Sequence, residues 1–136
     1  APDRADAGGD NDLALVLLAE AWGRRVLLLG DGEAAAELRL VRRYAGDLRC
    51  DLLKIAHHGS KTSTTVALLA AASPRLATIS VGTRNPFGHP HPTVIERLLA
   101  QRLRTVRTDR MGEIVVRWRD QGPLLLEFPG RMPVLM

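Results

Sequence analysis

Apolar residues in this sequence occur in short runs, and the length of these runs is the strongest constraint on the fold. No run exceeds seven residues, whereas a membrane-spanning helix needs about 20. Short apolar runs bounded by turn residues are typical of buried strands. Seven such runs occur, and most of them are predicted to be strands; they lie at residues 13–18, 26–29, 52–56, 76–81, 105–108, 114–118 and 124–128. The 136 residues therefore predict a sheet-containing globular fold.

Three stretches between the predicted strands favour helices, at residues 33–44, 64–72 and 92–102. Gly46 suits the end of the first helix, and Pro92 suits the start of the third. Gly23 suits a tight turn between the first two strands, which predicts that they pair antiparallel. Residues 120–123 predict a second hairpin. We therefore expect an α/β fold with helices on one face of a mixed sheet.

The chain has the length of one ordinary domain. Residues 1–12 are rich in Asp, Ala and Gly and are expected to be a flexible lead-in or a cut linker. The domain is expected to span residues 13–130, and residues 131–136 to form a tail. Cys50 is the only cysteine, which excludes a disulfide framework and a zinc site built on several thiolates. We expect Cys50 to be a packed small side chain.

Charge divides the chain into two unequal halves. Residues 1–56 hold 8 basic and 10 acidic side chains, whereas residues 57–136 hold 11 basic and 5 acidic ones. A basic half favours a polyanionic partner such as nucleic acid, although this signal is weak alone. Tyr44, Phe87 and Phe128 do not suggest a platform on which bases could stack.

Polar side chains follow three of the predicted strands. Asp31 follows the second, His57 and His58 follow the third, and residues 84–91 follow the fourth. In open α/β sheets, binding sites form at the carboxyl ends of the strands. The sequence therefore predicts that these groups converge on one edge of the sheet.

The segment Lys54 to Ser63 is the strongest local signal. Neutral imidazoles at a strand end are natural ligands for zinc or manganese. Gly59 permits a tight turn, and the residues that follow it, among them Ser60 and Lys61, offer donors to phosphate oxygens. The alternative is a surface loop with two solvated histidines, which we regard as the weaker interpretation of this pattern.

The remaining candidates have plain structural alternatives. Asp31 suits a metal ligand or the N-cap of the following helix. His89 and His91 suit contact with a substrate phosphate or acid–base chemistry, or else a rigid turn that leads into the next helix. Asp109 is expected to lie in a hairpin turn at residues 108–112.

Five segments, in this order, resemble the C-terminal metallo-β-lactamase-like domain of the ComEC family of bacterial DNA-uptake (competence) channel proteins. They are N-D-L-A-L-V-L-L, V-L-L-L-G-D-G-E, D-L-L-K-I-A-H-H-G-S-K-T-S, I-S-V-G-T-R-N-P-F-G-H-P-H-P and V-R-T-D-R-M-G. The resemblance covers about residues 10–118. It implies an αββα sandwich that binds two divalent ions, zinc or manganese, and hydrolyses esters, amides or phosphodiesters.

The resemblance also implies roles for single residues. Asp31 matches the metal-bridging aspartate, and one of His57 and His58 matches the last histidine ligand. We predict that Asp31 and His57 bind the metal and that His58 contacts substrate phosphate. Ser60 and Lys61 match positions near the scissile phosphate, and His89 matches the Gly-His-Pro corner.

One element of the superfamily is absent from the 136 residues. The cluster His-x-His-x-Asp-His, which supplies most ligands of the first metal, does not occur in them. We therefore expect the chain to be the C-terminal half of the domain. Two protein ligands fall short of the three typical of catalytic zinc, so the chain alone is expected to bind metal weakly and to be inactive.

The expected function is that of a nuclease domain that cleaves DNA during uptake in natural transformation. Two alternatives stay open: a hydrolase of another phosphoester, and a metal-free DNA-binding module. The expected partners are single-stranded or duplex DNA, the upstream half of the domain, and the membrane channel of the parent protein. We also expect self-association through exposed apolar sheet. The resemblance places the domain outside the lipid phase of a bacterial inner-membrane protein.

Overall fold

A five-stranded sheet forms the centre of the protein. The computed structural model describes residues 13–120 and 122–129. The strands lie in the order β1 to β5, and they are Leu17–Ala21 (β1), Arg24–Leu28 (β2), Leu52–Lys54 (β3), Leu76–Ile79 (β4) and Arg104–Arg107 (β5). β1 pairs antiparallel with β2, and every other pair in this sheet is parallel. The predicted mixed sheet and its first hairpin are therefore confirmed.

Helices connect the parallel strands. They are Ala34–Tyr44 (α1), Val66–Ala72 (α2) and Pro92–Ala100 (α3), and they lie between β2 and β3, β3 and β4, and β4 and β5. Parallel neighbours need such crossovers because a strand must return to the starting edge before the next one begins. All three predicted helices are confirmed, with their ends within two residues of the observed ones. Short 3₁₀ turns occupy Ala45–Leu48 and Ala56–Gly59.

The two faces of the sheet are covered differently, because side chains alternate between the faces of a strand. Leu27, Leu53 and Ile79 are fully buried in the cluster that also holds the apolar side chains of the helices. Leu52 and Leu76 belong to a second cluster, which packs against a separate hairpin. That hairpin consists of Val115–Arg117 (β6) and Leu125–Glu127 (β7), which pair antiparallel as predicted.

The segment after β5 differs from the prediction. Residues 108–112 were expected to form a hairpin turn, but Thr108–Met111 is a one-turn helix (α4) that ends at Gly112. The reason is topological, since β5 pairs with β4 and β6 belongs to the other sheet, so this segment joins two layers. Arg107 donates to both carboxylate oxygens of Asp109, at 2.9 and 2.6 Å, and this lowers the pKa of Asp109. Asp109 therefore has a structural partner.

Some of the predictions lie outside the described residues. Residues 1–12 and 131–136 are among these, so the expected lead-in and tail stay predictions. Within the described ranges, no helix has the length and apolar character needed to cross a membrane. Leu13 and Leu15, which precede β1, and Leu17, its first residue, are 55%, 82% and 49% exposed. Self-association through such surface stays a prediction.

Cys50 is buried just before β3, as expected for a packed small side chain. Burial, with the nearby Asp51 carboxylate adding to it, raises the pKa of the thiol to about 11. Since the thiolate is the reactive form, we expect a disulfide reagent at pH 8 to label folded chain about a hundredfold more slowly than unfolded chain. Absorbance of the released thiol in buffer and in 6 M guanidinium measures both rates. Equal rates would contradict the burial of Cys50.

Candidate functional site

The polar groups that follow β2, β3 and β4 meet at one edge of the sheet. Asp31 lies two residues beyond Leu29, and its Oδ1 is 3.7 Å from Nε2 of His58. The rings of His57 and His89 lie edge to face with their centroids 5.8 Å apart. The predicted convergence of these groups is therefore confirmed, because three separate strand ends deliver them to one place.

A backbone carbonyl holds the ring of His58. Its Nδ1 is 2.7 Å from the carbonyl oxygen of Ser80, the residue directly after β4. A carbonyl only accepts, so Nδ1 must donate, and the lone pair of the neutral ring is then on Nε2. Metal-binding histidines use this arrangement, in which one ring nitrogen is held by an acceptor and the other is left for the metal. Nε2 of His58 is the ring nitrogen on the side of Asp31.

His57 is held in the same way by a carboxylate. Its Nδ1 lies 3.1 Å from Oε1 of Glu33, at the start of α1. Its backbone N–H donates to the carbonyl of Gly30, at 3.0 Å, so the strand ends of β2 and β3 are tied together. His57 and His58 have φ values of 45° and 54°. Side-chain-bearing residues rarely adopt such values, and strained residues cluster at functional sites.

His89 contributes a buried nitrogen to the same edge. Among the described residues, its Nδ1 has no hydrogen-bond partner. Asn85 holds the backbone of His89 by accepting from its N–H at 2.9 Å and donating to its carbonyl at 2.8 Å. Burial lowers the pKa of His89, and the three other histidines lower it further. A neutral ring with an orphaned nitrogen suits a metal or a hydrogen-bonding substrate.

Not every predicted residue faces this cluster. The Ser60 side chain is largely buried, and its hydroxyl lies 2.9 Å from that of Thr62, within their own loop. Lys61 is exposed beside it. Nδ1 of His91 accepts from the backbone N–H of Thr93 at 3.3 Å and so caps α3. His91 therefore has the structural role at the start of this helix that was the alternative to a role in binding or catalysis. The assigned roles of Ser60 and Lys61 stay predictions.

The side chains at this edge are of the types that bind a divalent ion, but too few of them are arranged around one position. Imidazole nitrogen and carboxylate oxygen are ligands that zinc and manganese accept. Within residues 13–120 and 122–129, however, no group of three or more His, Cys, Asp or Glu side chains is arranged to hold one ion. The predicted ligands Asp31 and His57, and the metal itself, therefore stay predictions.

Several curated proteins are similar to this chain, and their names refer to a ComE operon, to competence and to recombination. "ComE operon protein 3" of Bacillus subtilis is 34% identical over 94% of this chain. "Competence protein ComA" of Neisseria gonorrhoeae is 37% identical over 77% of it, and "Recombination protein 2" of Haemophilus influenzae is 37% identical over 85%. The chain belongs to the ComEC family. It spans only 14–16% of the length of these three relatives. No protein-family model matches it.

Two residues of this ComEC-family chain to which the sequence analysis assigned no role shape the immediate surroundings of the cluster. Glu33 orients His57, and Lys54 lies beside the site. Burial lowers the pKa of Lys54, although the charge of Asp31 opposes this shift. A lysine in an otherwise apolar strand was the signal for Lys54. Glu33 gave no signal beyond its place at a helix start.

A third missed residue, Glu37 of α1, supports the loop that follows His58. Its side chain is 1% exposed, and its two carboxylate oxygens accept from the backbone N–H groups of Thr64 and Thr65, at 2.6 and 2.7 Å. Glu37 precedes Leu40 and Val41, which pack on the core, by three and four positions. A charged residue on this apolar stripe could have revealed it.

Proposed function

We propose that this chain is part of a metal-dependent nuclease that cleaves DNA phosphodiesters during DNA uptake. The observation that carries the proposal is the pair formed by Asp31 and His58, in which a carboxylate oxygen and the imidazole Nε2 lie 3.7 Å apart at one edge of the sheet. His57 and His89 add two further imidazoles beside this pair. Such a set suits divalent metal and phosphate together.

The relatives supply the biological context of the proposal. Two of their names refer to competence or its operon, and one refers to recombination. This chain matches about one-sixth of their length, so the activity of the whole protein is itself proposed. We take the chain to be the C-terminal half of a metallo-β-lactamase-like domain attached to a membrane channel. The remaining metal ligands would come from residues outside the 136.

Each residue of the site has a proposed task. Asp31 and one of the two adjacent histidines would hold zinc or manganese. When bound, such ions lower the pKa of water and neutralise phosphate charge. Glu33 keeps the His57 ring in place. His89, with its pKa lowered, would present a neutral ring to the substrate, and the exposed Lys61 would contact phosphate as a point charge.

The test uses the whole protein, at the length of its relatives, with single-stranded and duplex DNA and manganese or zinc. We expect cleavage that a chelator abolishes and that Asp31→Asn reduces at least tenfold. The variant, His57→Ala or His58→Ala, that loses more metal affinity identifies the histidine that binds the metal. Removing a residue that only hydrogen-bonds to a ligand lowers metal affinity less than removing the ligand itself. Asp47→Asn is the matched control, because Asp47 is an exposed aspartate outside the site.

Three results would contradict the proposal. Absence of DNA cleavage, or DNA cleavage unchanged by Asp31→Asn, would contradict the proposed nuclease activity at this site. Cleavage of small phosphoesters without cleavage of DNA would indicate a different hydrolase. DNA binding that is salt-sensitive and indifferent to chelator, without cleavage, would indicate a metal-free binding module.

A further inference from the structure

A groove of about 730 Å³ lies at the end of the sheet away from the histidines. It is lined by the β1–β2 turn, by residues of β6 and β7 and by the segment between these two strands, among them Trp22, Arg117, Trp118 and Arg119. β2 runs from this turn towards Asp31, so the groove and the candidate metal site are separate. We propose that the groove binds single-stranded nucleic acid, with bases stacked on the two tryptophans.

Trp22 lies at a turn position where a bulky residue is not favoured. Trp22 and Gly23 form the two-residue turn between β1 and β2, with φ values of 48° and 69°. Two positive φ values in such a turn favour Asn-Gly, because a bulky side chain is strained there. The side chain of Trp22 is 67% exposed. Neither the turn nor core packing therefore accounts for a tryptophan at this position.

Trp118 is brought to the same place from the far end of the chain. Its Nε1 donates to the carbonyl of Ala21 at 3.0 Å, which fixes the indole beside the turn. Two indoles with neighbouring arginines are the components of sites that bind single strands, because every base has a face that can stack on an aromatic ring. A flat, electron-rich polyanion is the ligand chemistry that this combination recognises.

The charges of the groove favour a polyanion modestly. Arg119 is exposed, and Arg117 donates through Nε to both oxygens of Glu127 at 3.0 Å. The lining therefore holds two arginines against one glutamate. With at most two phosphate contacts, the logarithm of the affinity should fall with the logarithm of salt concentration with a slope no steeper than about −1.4. Stacking would then supply most of the binding.

The identification of DNA as the natural ligand rests on the proposed function. Binding of a single strand in the groove can be tested without assuming that function. Trp22 and Trp118 are the only tryptophans of the chain, so intrinsic fluorescence reports on this groove. The experiment titrates the 136-residue chain with a twelve-nucleotide oligothymidine in EDTA, without metal. We expect saturable quenching. Arg119→Ala should weaken binding and make the salt slope shallower.

Trp22→Asn is the decisive variant, because stability and binding are expected to move in opposite directions. It restores the residue that the turn prefers, so the unfolding midpoint should stay or rise. Binding, followed by the remaining Trp118, should weaken about five- to hundredfold, as expected for the loss of one base stack. Tyr44→Asn is the matched control, since Tyr44 is another exposed aromatic with an arginine, Arg43, over its ring.

Several results would overturn the inference. One is quenching that is absent or unchanged in Trp22→Asn, and another is a lower unfolding midpoint in that variant, which would give Trp22 a packing role. Fluorescence that changes with protein concentration alone would make the groove an interface between copies. DNA cleavage by the whole protein is measured separately. If cleavage is absent while the oligonucleotide still quenches the fluorescence, the proposed function is refuted and the proposed binding in the groove is not.

Discussion

Replacing Gly59 with alanine is expected to lower the free energy of unfolding by about 3 kcal/mol and to separate His57 from His89. Gly59 has a φ of +85°, and an added Cβ would lie 2.6 Å from Cβ of Pro90. The left-handed backbone costs a side chain about 1–2 kcal/mol, and overpacking costs about 1–3 kcal/mol more. The loops after β3 and β4 touch at this point, where the Gly59 carbonyl accepts from the N–H of His91 at 2.8 Å.

Gly88→Ala is the control that separates the two costs of the Gly59 substitution. Gly88 also has a left-handed φ, +70°, but an added Cβ would meet nothing within 4 Å. We expect Gly88→Ala to cost about 1 kcal/mol, which is the backbone term alone. Urea unfolding of both variants gives the comparison. Equal losses would mean that Gly59 and Pro90 are not in close contact in solution.

Replacing Glu37 with alanine is expected to lower the free energy of unfolding by about 3 kcal/mol or more. The substitution removes the acceptors of the Thr64 and Thr65 N–H groups, and each buried polar group left without a partner costs about 1–3 kcal/mol. A cavity in α1 would add to this loss. Arg97 also holds this loop, by donating to the carbonyl of Ser63 at 2.9 Å, so the loop should loosen without separating completely.

The matched control for Glu37 is Glu96→Ala. Glu96 is a glutamate of α3 with an exposed side chain, and surface substitutions usually change stability by no more than about 0.5 kcal/mol. Urea unfolding again measures both, and hydrogen exchange of the Thr64 and Thr65 amides should be faster in Glu37→Ala. A loss similar to that of Glu96→Ala would show that the Glu37 carboxylate is not the anchor of this loop.

Local sequence patterns predicted the elements of the fold well. Short apolar runs located the seven strands of residues 13–120 and 122–129, although β1 begins four residues later than predicted, and the three long helices and the hairpin at Gly23 were also predicted. These patterns succeed because periodicity and turn chemistry act within a few residues. The prediction was wrong at residues 108–112, where the partner of β5 decided whether the segment was a hairpin turn. Strand partners are set by contacts far along the chain.

The sequence predicted which residue types meet at the candidate site, and it carried no information on how their side chains pair. Strand ends located Asp31, His57, His58 and His89 correctly at one edge. Which histidine faces Asp31 depended on the 3₁₀ turn at Ala56–Gly59 and on the carbonyl of Ser80, neither of which has a sequence signature.

The sequence by itself determined that the chain forms an α/β sheet with its imidazoles and Asp31 at the strand ends, because those features follow from local patterns. Tertiary structure alone decided that Glu37 anchors the loop after His58, and that Trp118 meets the turn at Trp22 from 96 positions away. Such contacts depend on strand register and on how the layers pack. These bring together residues that are far apart in the chain, and the local sequence around one residue does not indicate its distant partner.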